Sequence, residues 1–311
     1  MLKLCVIGAG EHSRLSHLPA LAAFQQRNED VALAAICDLD FARAREAART
    51  FGFAQSFASP DAMLDEIQPG ACLVIAPVAA TAELSLRLLR AGCPVLVEKP
   101  LGPTLEAARA FAAASAMCPA PAMVSMNRRF DPMTAAALAW IGKRRVTTIK
   151  AVMRRERRVE PDFLAATGLH IVDVVCSIGG AVAHCDSRAE WVNDAWWWTL
   201  RVVFASGIKA VLEIQPTRGR DEEWLQFSGD GFLAESRGAE FDAGRWQGWV
   251  DGKPAESGST RGLPPFEANG TCAETGAFVG AVRAKHPPRP APADVLPAME
   301  LCHAAARLAG H

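Results

Sequence analysis

The chain has 311 residues, 50% of them hydrophobic and 22% charged, with a formal net charge of −1. That length carries two domains with sizeable cores, and the near-neutral balance lacks the basic footprint that nucleic acid demands. No apolar stretch reaches the roughly 18 uninterrupted residues of a membrane span.

The first third alternates β-rich runs with helical patterns. LKLCVIG (2–8), VALAAIC (31–37), CLVIAP (72–77) and PVLVE (94–98) read as buried parallel strands. Between them LSHLPALAAFQQ (15–26), FARAREAARTFG (41–52) and TAELSLRLLRAG (81–92) carry helical apolar spacing, with Gly52 and Gly92 where C-caps belong. Strand–helix–strand units of this length imply right-handed crossovers and a doubly wound sheet. A further helix (103–117) and the run PAMVSM (121–126) complete this part.

Near NRRFDP (127–132) the pattern changes. RVTTIKAVMRR (145–155), AWWWTLRVVFASG (195–207), IKAVLEIQP (208–216) and WLQFSGDGF (224–232) follow one another as strands, with SG (206–207) and GDG (229–231) as hairpin punctuation. Helices are expected near 130–142, 162–178, 266–285 and 293–310, and an exposed loop at PAESGSTRGLPP (254–265). The division predicted is 1–126 and 127–311, an α/β domain followed by an α+β domain with a large, mostly antiparallel sheet.

The N-terminal MLKLCVIGAG runs straight into a strand and not into a secretory leader. Nine cysteines without a C-x-x-C pair read as reduced thiols of a cytoplasmic protein, with Cys5, Cys72 and Cys176 as core residues. There is no tyrosine, which excludes a tyrosine hydroxyl as catalytic acid. No zinc-ligand spacing and no G-x-S-x-G elbow are evident, so no metal centre is expected.

The first strand ends in Gly8-Ala9-Gly10-Glu11-His12-Ser13, the G-x-G-x-x-G position with Ser13 in place of the last glycine. Gly8 permits the tight turn, and Gly10 lets the backbone approach a pyrophosphate at the helix N-terminus. A glycine turn in any α/β protein gives a similar pattern. Asp38, at the end of the second strand, stands where a carboxylate accepts hydrogen bonds from both adenosine ribose hydroxyls. It repels a 2′-phosphate and no arginine follows directly, so NAD is preferred over NADP. Asp40 is at least as well placed as Asp38 to be the helix N-cap.

With GAG, Asp38 and then Glu98-Lys99-Pro100, the chain resembles the glucose–fructose oxidoreductase and inositol dehydrogenase family, Gfo/Idh/MocA. Ala76-Pro77, RAGCPVLVEKPLG (90–102), NRRFDP and GLHIVD (168–173) come in that family's order and approximate spacing. The resemblance implies a Rossmann domain that binds NAD along Gly8, Gly10, His12, Ser13, Asp38, Ala76, Pro77, Glu98 and Lys99. It implies that Lys99, held by Glu98, hydrogen-bonds the reacting oxygen, where a cation stabilises developing alkoxide charge. His170 becomes the general acid/base, and Asp173, one turn on, orients it or binds a substrate hydroxyl. Asn127 and Arg128 belong to the substrate pocket, and Arg129 reads as a structural ion-pair partner. Two departures stand out: Ala166 occupies the family's usual aspartate position, and Thr81 stands where relatives often have histidine.

Two stretches remain open. MRRERR (153–158) is a solvated strand edge, or it offers Arg155 or Arg157 to an anionic substrate group. In WWWTLRVVF (196–204), Trp196 and Trp198 share one face and Trp197 takes the other. Large aromatics there suit a homo-oligomer formed through the second sheet, more than stacking on a sugar ring. The leading expectation is an NAD-dependent oxidoreductase acting on a secondary alcohol of a sugar, polyol or related small molecule, with no nucleic-acid or membrane partner. The alternatives are a regulatory protein that binds nucleotide and sugar-like ligands without turnover, and a redox-neutral enzyme with retained NAD.

Overall fold

The computed structural model describes residues 1–238 and 243–308. Its backbone divides into two units. One comprises Met1–Ser125 and Thr271–Leu296, and the other Met126–Gly270 and the residues from Pro297 onward. The boundary expected after residue 126 is therefore joined by a return of the chain. The helix Thr271–Ala284 packs on the first helix of the first unit, and Arg283 pairs with Asp30. Beyond it, Pro290 accepts the Val124 N–H at 2.8 Å.

In the first unit the strands are β1 (Leu2–Ile7), β2 (Val31–Cys37), β3 (Gln55–Phe57), β4 (Ala71–Val74), β5 (Val95–Val97) and β6 (Ala122–Val124). They pair in parallel in the order β3-β2-β1-β4-β5-β6. The helices are α1 (Leu18–Gln26), α2 (Phe41–Phe51), α3 (Pro60–Ile67), α4 (Val78–Arg90) and α5 (Leu105–Ala116). β1, β4 and β5 are almost wholly buried, which is why they read as continuous apolar runs. α2 starts on Asp40, whose side chain accepts the Arg43 N–H, and stops at Gly52 in the left-handed region at φ +83°. β3 and α3 were not foreseen, since QSF is three residues long and only half buried. The direction of strand order reverses at β1/β4, so the carboxyl ends of β1 and β4 frame the crevice in which open α/β sheets bind ligands.

The second unit contains α6 (Pro132–Ile141), β7 (Thr148–Arg154), α7 (Leu169–Gly179), β8 (Val182–Val192), β9 (Ala195–Phe204), β10 (Lys209–Gln215), β11 (Glu222–Gly229), β12 (Phe232–Arg237), β13 (Arg245–Val250) and β14 (Lys253–Ser259). Its sheet runs β14-β13-β12-β11-β7-β10-β9-β8, with β7/β10 parallel and the other pairs antiparallel. The α7 face takes Leu200, Val202, Phe204, Ala210, Leu212 and Ile214 out of water. The other face carries a ladder of ion pairs in which Arg154 meets Glu213 and Glu222, and Arg237 meets Glu222 and Glu235. PAESGSTRGLPP, expected as a loop, contributes most of β14, an exposed edge strand. The last helix spans Pro292–Leu308, and residues 309–310 of its expected range lie outside the described residues. Among the described residues no helix is long and apolar enough to cross a membrane.

Candidate active site

At the carboxyl edge of the first sheet the glycine turn has a steric cause. Gly8 sits at φ +106°, and a Cβ there would lie 2.0 Å from the Ile75 carbonyl oxygen. A Cβ on Gly10 would meet nothing within 4 Å, so the space above that backbone is open. Asp38 is tied to this turn: its Oδ2 accepts the Ala9 N–H at 2.8 Å and its Oδ1 accepts the Asp40 N–H at 2.9 Å. Each oxygen keeps a lone pair for a further donor. Arg43 Nη1 lies 3.7 Å from Asp38 Oδ1 and Nη2 3.5 Å from Asp40 Oδ2. An arginine thus does reach Asp38, one helical turn later than the sequence reading looked for it.

After the turn the chain winds one π-helical turn, Ser13–His17, before α1. Ser13 is fully buried and its hydroxyl has no partner among the described residues. It stands at the third-glycine position of the turn with its side chain closed to solvent. The i→i+5 bonding of a π-turn brings residues five apart toward one side, and the rings of His12 and His17 meet edge-on at 5.4 Å.

Both imidazoles converge on Glu98 at the end of β5. His17 Nε2 lies 2.7 Å and His12 Nε2 3.3 Å from Glu98 Oε1, while Glu98 Oε2 accepts the Lys99 backbone N–H at 3.0 Å. Glu98 therefore holds Lys99 through the main chain. Burial by itself raises the Glu98 pKa, but hydrogen bonds and charge from His12 and His17 outweigh it and hold the carboxyl well below its usual range. In the β4–α4 connection, the buried Thr81 hydroxyl lies within hydrogen-bond reach of the Ala76 and Pro77 carbonyls, at 2.9 and 3.1 Å. Thr81 so fixes the turn at the position where a histidine was looked for.

His12, His17 and Glu98 are also three metal-capable donors within 4.8 Å of one another, a grouping the search for zinc spacing overlooked. Zinc bond lengths place two ligands of one tetrahedral ion about 3.3 Å apart. His17 and Glu98, at 2.7 Å, stand at hydrogen-bond length instead.

In the second unit a separate polar cluster forms on the turn Asn127–Phe130. Arg128 binds Glu223 with Nε at 3.0 Å and Nη2 at 3.2 Å, and Arg155 Nη2 closes on the same carboxylate. Burial raises the Glu223 pKa, but the two guanidiniums overcome this and hold it well below the usual carboxylate range. Asn127 donates to the Asn269 carbonyl and accepts from Arg128. Arg129 takes both oxygens of Asp173, each at 2.6 Å. Asp173 is fully buried, so it stands as Arg129's partner and not as an open acceptor for a substrate hydroxyl. His170 is half-buried on the first turn of α7, and Ala166 lies in the π-turn Leu164–Gly168 just before it. Arg155 is buried on Glu223, whereas Arg157 is exposed beside Asp194 at 3.1 Å. Of the two arginines held ready for an anion, Arg155 is thus already committed to a carboxylate of this chain.

Residues 2–124 match the family described as an oxidoreductase family with an NAD-binding Rossmann fold, Gfo/Idh/MocA. Over that first unit the chain is similar to the Gfo/Idh/MocA family. Among curated members, D-glucoside 3-dehydrogenase of Escherichia coli (strain K12) is 34% identical over 108 residues, 35% of this chain and 30% of the relative. D-apiose dehydrogenase of Paraburkholderia graminis is 30% identical over 219 residues, 62% of this chain and 54% of the relative. The chain thus spans between 30% and 54% of these two relatives. An oxidoreductase of Agrobacterium radiobacter, solved in complex with NAD+, L-tartaric acid and magnesium, superposes with a TM-score of 0.79 at 19% identity. That match covers 100% of this chain and 96% of the other, and shows the shared fold.

In this chain the fold brings Gly8, Gly10, His12, Asp38, Glu98 and the Lys99 backbone to the carboxyl edge of one sheet. The open space over Gly10 and the spare lone pairs of Asp38 fit a dinucleotide. The sequence alone did not mark His17 or Glu223, and it marked Thr81 only as a departure from the resemblance. A signal existed only for His17, in the H-x4-H spacing from His12.

Proposed function

We propose that this chain is an NAD-dependent dehydrogenase acting on a secondary alcohol of a sugar or polyol. The observation that carries the reading is Asp38, fastened 2.8 Å from the Ala9 N–H of the glycine turn with acceptor capacity left for ribose hydroxyls. Relatives named for D-glucoside and D-apiose support the substrate class. NAD, when bound, supplies the hydride acceptor. Gly8 and Gly10 hold the pyrophosphate, and Thr81 keeps the Ala76–Pro77 turn in place. Lys99 stabilises negative charge on the reacting oxygen, and His170 takes the hydroxyl proton. Asn127 and Arg128 contribute to the substrate pocket with Glu223 fixing the guanidinium, while Asp173 works through Arg129. Asp38 and Asp40 outnumber Arg43, so a 2′-phosphate meets net negative charge and NAD is preferred over NADP.

The compartment and assembly follow the same reading. Nine free cysteines suit the reducing cytoplasm. Self-association uses the face of the second sheet turned away from α7, where Trp197 and Trp224 lie among the ion pairs. Trp198 is 3% exposed on the opposite face and serves the core.

The test is nicotinamide absorbance during incubation of the protein and NAD with sugars, polyols and sugar acids, with Lys99→Met alongside. Reduction of NAD that depends on Lys99 supports the dehydrogenase. A second reading, ligand binding without turnover, rests on Ala166, which leaves no carboxylate on the turn before His170. Tight NADH binding with no turnover across the panel would favour it.

A further inference from the structure

We infer that His17 is a positioning residue for Lys99, acting through Glu98. The inference rests on the proposed catalytic role of Lys99 and adds a residue that neither the motif nor the resemblance marks. The Glu98 N–H donates to the Val74 carbonyl at 3.1 Å, which carries the β4–β5 ladder one residue past the strand end. The Lys99 N–H then leaves the sheet and is captured by the side chain of its own neighbour, at 3.0 Å. The direction in which Lys99 leaves the strand therefore depends on where the Glu98 carboxylate is held.

His17 holds it. Glu98 is 8% exposed and His17 2%, and a buried carboxylate is tolerated only when donors fill its lone pairs. His17 Nε2 fills one at 2.7 Å from a rigid base, the π-turn whose closing bond runs from the Leu18 N–H to the Ser13 carbonyl. His12 reaches the same oxygen at 3.3 Å, but from a side chain that is 61% exposed, so it is the weaker support. An apolar side chain at position 17 frees Glu98 to rotate toward water and releases the Lys99 N–H. The same contact ties the turn that follows the glycine loop to the lysine. Binding and charge stabilisation thus share one frame, in which a misplacement of about 1 Å costs on the order of 10²-fold in rate.

The experiment compares His17→Leu, His17→Gln and Glu98→Gln with the wild-type protein by hydrogen exchange and by kinetics. In a peptide spanning 95–102, Pro100 has no N–H, and Lys99 lies far enough from the peptide's N-terminus for its amide to report. His17→Leu is expected to speed exchange in that peptide by about 10-fold or more, leaving β1 and β4 unchanged, because a lost charge-assisted hydrogen bond is worth that much. Its kcat on the substrate found in the absorbance assay should fall by about 10- to 100-fold, with NADH affinity within about threefold. His17→Gln, which keeps a donor, should restore both readouts. Should His17→Leu fail to fold, Glu98→Gln must show the faster exchange at Lys99 by itself. Unchanged exchange in the folded variants overturns the inference, as does faster exchange with wild-type kcat. Wild-type turnover by Lys99→Met removes the catalytic role of Lys99 instead, and is recognisable because the exchange response to His17→Leu persists.

Discussion

Arg129 and Asp173 form a two-point ion pair, 2.6 Å at each contact, with Asp173 wholly closed to solvent. Removing one partner of such a pair leaves an uncompensated buried charge, at a cost of about 3–5 kcal/mol. Asp173→Ala should therefore lower the urea midpoint strongly, and any loss of turnover should track the loss of folded protein. A residue that met substrate directly would give the opposite split, with stability kept and KM raised.

The Arg128–Glu223–Arg155 cluster makes a prediction about acid. Glu223 has a folded pKa below its unfolded value of about 4.5, so its stabilisation is fully present above that pH. It is lost as the pH falls through the folded value. The stability difference between wild type and Glu223→Gln should be constant from neutrality to about pH 5 and shrink below it. Chemical denaturation at a series of pH values checks this, and a gap that widened toward acid would contradict the assignment.

Asp38 should decide cofactor choice. Asp38→Ser removes a charged acceptor, a change of about 1.5–3 kcal/mol, and should weaken NADH by roughly ten- to a hundredfold. NADPH should lose less, because Arg43 is released from one of its two carboxylates. Fluorescence titration of the two dinucleotides gives the ratio, and equal losses would mean that Asp38 only braces the Ala9 turn.

The thiols should be quiet. Burial pushes Cys5, Cys93 and Cys176 up to about 12, and Cys72 and Cys302 well above their ordinary value. An aromatic disulfide reagent at pH 8 should label the native protein slowly, and only at the half-buried Cys118, Cys185 and Cys272. All nine cysteines should react after denaturation in guanidinium, as counted by absorbance.

The amino-acid order alone determined the parallel sheet of the first unit. β1 from Leu4 onward, β4 and β5 are buried, and a strand buried on both sides must be apolar throughout. It likewise marked the Gly8 turn through the G-x-G spacing at the end of the first strand, while the Ile75 carbonyl that leaves no room for a side chain there is a tertiary contact. The half-exposed β3, the long edge strand β8 and the exposed β14 escaped that reading, because edge strands need no strict alternation of apolar and polar residues. Tertiary structure alone decided the partners. His17 and Glu98 are 81 residues apart, Arg129 and Asp173 44, and Arg128 and Glu223 95. A buried charge requires a counter-charge or a donor wherever the fold can supply one, and nothing in local spacing says which distant residue that will be.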